Sequence, residues 1–274
     1  MSRAGEETHA ADASGLQTAT SQPPVLALTG ASKRFGAVTA LDRVDLAVGR
    51  GEVLALLGDN GAGKSTLIKC ISGVHRLDEG TMQVDGVEAR CGSPSEAREL
   101  GIETVYQDLA LFDNLSPSAN FFAGREVARP PWLPRGVRVL SKRQMTLRAR
   151  ELLDRLQVEL PAFDATVALM SGGQRQAIAV ARAAAFSSKL VILDEPTAAL
   201  GLRESAQVLN LVRRLRDDGV AVILISHSMD HVMAVADRAM VLRRGRKVGE
   251  TVPSEANHEL LVSWIVGARG GQPV

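Results

Sequence analysis

Residues 58–65 read Gly-Asp-Asn-Gly-Ala-Gly-Lys-Ser, and no other stretch of this chain constrains its fold as strongly. The pattern G-x4-G-K-[ST] works only with a strand before it and a helix after it. Both are predicted here: Val53–Leu57 is an unbroken apolar run, and a helix is expected from about Ser65. Gly58, Gly61 and Gly63 let the backbone bend, so that the N–H groups from Asp59 and Asn60 through Ala62 face one anion. The dipole of the following helix adds positive potential at the same point. Such a loop cradles phosphates. Lys64 is placed to reach a β- and γ-phosphate, Ser65 to set its hydroxyl on Mg2+, and Thr66 to touch an α-phosphate. The competing reading is a glycine-rich turn without a ligand.

Apolar runs alternating with amphipathic stretches give the rest of the architecture. Strands are predicted at Val25–Leu28, Val44–Val48, Ile102–Val105, Leu190–Leu193, Val220–Ile225 and Ala239–Leu242. A hairpin is predicted over 82–88, where Asp85-Gly86 is a tight-turn signal. Helices are expected near 143–157, 174–186, 204–218 and 229–236. Strands alternating with helices imply a mostly parallel sheet covered on both faces. The strand-rich beginning implies an antiparallel addition near the N-terminus. Residues 110–170 show no clear strand and read as a helical insertion. Residues 1–24, rich in Ala, Ser, Thr and Gly and ending in Pro23-Pro24, read as a disordered tail, and 269–274 as a second tail.

A second chemical element follows 130 residues after Lys64. Leu190–Leu193 is fully apolar and ends abruptly in Asp194-Glu195. Two carboxylates at the end of a buried strand are costly unless something pairs with them. Beside a phosphate loop, Asp194 is the candidate Mg2+ ligand, acting through the metal's water shell. Glu195 is then free to orient or deprotonate an attacking water. Alternatively, Asp-Glu-Pro is simply a helix start, with Pro196 pre-set for the first turn.

Composition narrows the classes. Lys+Arg is 32 and Asp+Glu 31, a balance that gives no support to a nucleic-acid binder. The two cysteines, Cys70 and Cys91, make no metal or disulfide framework, which suits a reducing compartment. No apolar run approaches the roughly 18 residues of a membrane span, so a membrane role has to come through a partner.

Met170-Ser171-Gly172-Gly173-Gln174 resembles the signature motif of the ABC ATPase family, with Met170 where leucine is usual. The other family elements stand in order. Gln107, in VYQDLAL, resembles the glutamine that senses Mg2+ and the permease. His227, in LISHSM and 32 residues beyond Glu195, resembles the switch histidine on the γ-phosphate. Phe35 resembles the aromatic that stacks on adenine, with core packing as its alternative. The resemblance spans about residues 25–268. Within the family, YQDLAL and DEPTAALG look most like single-domain ATPases of bacterial carbohydrate importers of the fructose and ribose type.

The resemblance implies a P-loop NTPase of α/β class. A RecA-like, mostly parallel sheet would carry an N-terminal antiparallel β subdomain and an inserted helical subdomain at about 110–170. It also implies ATP and Mg2+, and a two-fold pair with a second copy or a homologous ATPase subunit. In that pair Ser171, Gly172, Gly173 and Gln174 of one chain complete the ATP site of the other. Transmembrane permease subunits, an indirect solute-binding protein and a peripheral place on the cytoplasmic membrane face follow from the same likeness. One departure stands out. The loop after the catalytic strand reads Ala198-Ala199-Leu200-Gly201, where the family usually ends in Asp, and Gly201 lacks the carboxylate that helps the two sites communicate. Alternatives within the family are a soluble ATPase of DNA repair or translation, which usually has coiled-coil arms or tandem domains, a non-hydrolytic nucleotide-gated module, and a transporter of another solute. The stretch Arg125–Arg155 holds nine basic and three acidic residues. It reads as a solvated face, or as one that sets Arg135, Arg138, Lys142 and Arg143 near anionic lipid or permease loops.

Overall fold

The computed structural model describes residues 23–129, 139–158, 160, 163 and 165–267. Most of the two expected tails, and Arg135 and Arg138, lie outside the described residues.

Strand β3 (Val53–Leu57) is buried at all five positions, as its unbroken apolar run requires. Its alternating side chains serve different cores. Leu54 and Leu56 face the first core, with helix α1 (Lys64–Ile71) and the N-terminal strands. Val53 faces a second core, and Ala55 and Leu57 a third beneath the C-terminal helix. Six strands form this sheet in the order β12-β11-β3-β10-β9-β6. They are β6 (Ile102–Val105), β9 (Leu190–Asp194), β10 (Ala221–Ile225), β11 (Arg238–Arg243) and β12 (Arg246–Thr251) with β3. Every neighbouring pair is parallel except β11 with the edge strand β12. The expected mostly parallel α/β sheet is therefore present.

The antiparallel addition is a four-stranded sheet in the order β2-β1-β4-β5. Its strands are β1 (Leu26–Phe35), β2 (Val38–Val48), β4 (Glu79–Val84) and β5 (Val87–Glu88). The first two run well past the four- and five-residue segments read from the sequence. Their apolar ends lie in the core, and the turn between them leaves Arg34, Phe35, Val38 and Thr39 exposed. The Asp85-Gly86 turn is where the sequence places it, with both residues at positive φ.

On the other face, α5 (Gly172–Phe186) and α6 (Leu202–Asp217) cover β9 and β10. The same core takes in α3 (Pro117–Phe121) and α4 (Lys142–Arg155), with Phe121 and Leu153 fully buried. Residues 110–170 are not free of strands. Ala128–Arg129 (β7) pairs antiparallel with Val139–Leu140 (β8), two residues each and too short for any periodicity to reveal. The short α2 (Pro94–Glu99), α7 (Met229–Val235) and the C-terminal α8 (Glu255–Val266) complete the described elements.

Gly58 ends β3 against β11. Its φ is 148°, and a Cβ there would stand 2.3 Å from the Leu242 carbonyl oxygen and 2.9 Å from Ala62 Cβ. Gly58→Ala must therefore push neighbouring backbone segments aside as well as force a disfavoured φ. We expect a loss of about 3 kcal/mol, measured as a lower urea midpoint at unchanged slope.

Candidate functional site

The parallel register sets the carboxyl ends of three strands side by side. Leu56 of β3 aligns with Ile225 of β10, and Ile225 aligns with Asp194 of β9. The segments that follow, 58–65, 194–195 and 226–227, therefore leave the sheet along one edge, where open α/β sheets bind ligands.

The glycine loop is shaped by its surroundings. Gly61 and Gly63 have φ of 77° and 104°, and a Cβ on Gly63 would meet the Ala40 carbonyl oxygen at 2.7 Å. The β11–β12 turn braces the loop: Gly245 N–H donates to the Ala62 carbonyl at 2.9 Å, and Asp42 N–H to the Gly245 carbonyl at 2.8 Å. Asp59 accepts from Asn60 N–H through its Oδ1 at 2.7 Å and from Ala62 N–H through its carbonyl at 3.1 Å. Lys64 is buried, and its ammonium turns back to the Gly58 and Asp59 carbonyls at 2.7 and 3.0 Å. Burial lowers the Lys64 pKa, against the attraction of Glu195, Asp194 and Asp59. Ser65 is exposed on the first turn of α1, and Thr66 beside it is half-buried.

Asp194 and Glu195 differ in setting. Burial first, and then the Glu195 charge, push the Asp194 carboxyl above its ordinary value, with Lys64 opposing. Glu195 sits at φ 51°, a left-handed conformation that is rare for such a residue, and its N–H is tied to the Ile225 carbonyl at 3.0 Å. Its Oε1 lies 2.7 Å from His227 Nε2. A carboxylate and a histidine are thus joined next to a buried ammonium.

The fit to Mg2+ rests on the donor set. The exposed Ser65 hydroxyl and the Asp194 carboxylate are hard oxygen donors beside the glycine loop, and Mg2+ takes few protein ligands and keeps water and phosphate as the rest. No cluster of three or more His, Cys, Asp or Glu able to hold a metal occurs among the described residues. A site of this kind would be finished by phosphate rather than by protein.

The signature segment is elsewhere. Ser171 caps α5 in a capping box: its Oγ accepts from Gln174 N–H at 3.2 Å, and Gln174 Oε1 accepts from Ser171 N–H at 2.9 Å. Ser171 and Gly172 are exposed. Among the described residues no hydrogen bond joins 171–174 to 58–66. Gln107 lines a cavity of about 410 Å3 with Gly172, Arg175, Gln176 and Ala198–Leu200. Phe35 is 44% exposed, with its ring edge-on to His75 at 5.2 Å and the Lys33 ammonium 5.6 Å from its centroid. An exposed aromatic of this kind is not a core residue, which removes the packing alternative.

Three residues at these places escape the sequence reading. Glu204 accepts from Ser171 Oγ, His75 flanks Phe35, and His231 Nδ1 lies 2.9 Å from Thr197 Oγ1, two residues after Glu195. Only Glu204 leaves a local trace, the spacing Gly201-x-x-Glu204 of a helix start.

A family model described as ABC transporter matches residues 41–198. The fructose import ATP-binding protein FrcA of Rhizobium meliloti is 47% identical, over 90% of this chain and 96% of its own. The xylose/arabinose import ATP-binding protein XylG of Sulfolobus acidocaldarius is 46% identical, over 89% and 96%. The solved ADP conformation of MJ1267, an ATP-binding cassette of an ABC transporter, superposes with a TM-score of 0.75 at 25% identity, over 89% of this chain and 99% of that one.

A carboxyl whose pKa rises on folding holds its proton more tightly folded than unfolded. The ionised Asp194 therefore costs stability at neutral pH, and the cost vanishes as the pH falls through the raised value towards 3.8. Asp194→Asn should raise the melting temperature of the nucleotide-free protein by about 2 °C at pH 7, with the gain fading towards pH 4 in calorimetric scans.

Proposed function

The chain belongs to the ABC transporter family, and on that premise we propose that it is the ATP-hydrolysing subunit of a monosaccharide importer. The observation that carries the hydrolytic role is the Glu195–His227 pair, 2.7 Å apart on the strand edge that also bears the glycine loop. The sugar class rests on the likeness to the fructose and xylose/arabinose import proteins.

ATP is the substrate. The loop from Gly58 to Ser65 takes the β- and γ-phosphates on its backbone N–H groups and the α1 dipole. Lys64 leaves the two loop carbonyls it now holds and turns to the phosphates. Thr66 stands by the α-phosphate, and Phe35 offers its exposed face to adenine. The Ser65 hydroxyl, Asp194 through water and Gln107 would hold Mg2+, which when bound would supply positive charge beside the phosphates. Glu195 accepts a proton from the attacking water, whose oxygen bonds to the γ-phosphorus as the bond to the β–γ bridging oxygen breaks. His227 steadies Glu195 and reaches for the γ-phosphate.

Ser171, Gly172, Gly173 and Gln174 act on the ATP of a second copy or of a homologous subunit. Within one chain Ser171 is bound to α6 through Glu204, and among the described residues none of the four makes a hydrogen bond to the phosphate loop. ATP then favours the closed pair because only that state gives the γ-phosphate both sets of donors. The cavity shared by Gln107, the start of α5 and Ala198–Leu200 carries closure to permease subunits. Among the described residues no helix is long and apolar enough to cross a membrane. The place proposed is the cytoplasmic membrane face, held there by the permease, with a solute-binding protein choosing the sugar.

Glu195→Gln should keep ATP binding in an equilibrium assay and slow phosphate release about 100-fold or more. Lys64→Ala should lose nucleotide binding itself. In cells, deleting the chain should abolish growth on one monosaccharide, and Glu195→Gln should fail to restore it. Unaltered growth on every sugar tested would remove the sugar assignment.

A further inference from the structure

The signature segment is already facing a negative charge. Glu204, in the first turn of α6, spans two helix starts. Its Oε2 accepts from Gly201 N–H at 3.1 Å, and its Oε1 accepts from Ser171 Oγ at 3.2 Å. It also lies over the second signature glycine, where a Cβ on Gly173 would stand 2.6 Å from Glu204 Cγ. Capping α6 needs only the contact to Gly201. The second oxygen is therefore free to hold Ser171, 33 residues away in sequence.

That contact bears on the proposed pairing. A serine hydroxyl has one proton to donate. Here the Ser171 proton goes to a carboxylate, and the oxygen accepts from Gln174 N–H. A phosphate oxygen arriving at Ser171 has to displace Glu204 as the acceptor of that hydroxyl proton and approach a like charge. We propose that Glu204 is a positioning residue that acts through Ser171: its carboxylate stands in for the partner's γ-phosphate and holds the signature segment shut until ATP displaces it. The inference rests on the paired reading given above.

The test compares ATP-driven self-association of the Glu195→Gln protein with and without Glu204→Gln, by sedimentation. Glutamine drops the charge; its one side-chain oxygen can still accept from Gly201 N–H, and its amide NH2 then faces Ser171 Oγ, which can accept. The added substitution should lower the ATP concentration for half-dimerisation about tenfold in low salt. At about 1 M salt, where the screening length is near 3 Å, the advantage should shrink towards none. Glu204→Asp keeps the charge and should give no gain. A pair that forms equally or less readily with glutamine, or a gain that salt leaves untouched, overturns the role of Glu204 alone. If no ATP-dependent pair forms in either protein, the paired reading falls and this inference with it.

Discussion

Everything at the candidate site depends on β3, β10 and β9 ending level. Leu56, Ile225 and Asp194 share one row of the sheet. From that row the chain turns into the glycine loop, into Ser226-His227 and into Glu195. No contact between those segments is needed to bring them together, because backbone pairing inside a fully buried sheet already does so. The strands tolerate no slip. Each carries apolar residues on both faces, and Leu54 and Val53 belong to different cores. A shift of one residue would exchange the cores and move a carboxylate inward.

The edge itself is a costly place. Lys64 and Asp194 are held against solvation, and burial shifts both away from their charged forms. Glu195 occupies a left-handed backbone conformation, and the loop beside it turns on glycines at positive φ. Strain and unfavourable charge gathered at one edge mark a site whose balance a ligand completes. In the proposed function a triphosphate with its metal would answer each of these at once, by giving Lys64 an anion, Asp194 a cation and the loop N–H groups an acceptor. In this reading the same logic extends to Ser171, whose proton rests on Glu204 while the partner is absent.

Much of this is legible in the sequence, and for a physical reason. β3, β9 and β10 are short unbroken apolar runs because parallel strands are buried on both faces, and the loop and the Asp194-Glu195 pair punctuate their ends. β1 and β2 are legible only at their apolar ends, since the exposed Arg34, Thr39 and Arg43 break the apolar pattern between them. β12, with Lys247, Gly249 and Glu250, has no apolar alternation and forms because the edge of β11 is there to pair with. β7 and β8 are two residues long. Glu204 and His75 stay hidden because what makes each of interest, Ser171 or Phe35, is distant along the chain and near only after folding.

The central claim is that glycine-bearing anion sites of opposite copies meet on one triphosphate. Two disabled proteins test it most directly: Lys64→Ala, which keeps its signature segment, and Ser171→Arg, which keeps its phosphate loop. Each alone should be inactive as an ATPase. Mixed in equal amounts, half the pairs are hybrids with one intact composite site of two, so about a quarter of native activity should return. A mixture no more active than its separate components would contradict the account.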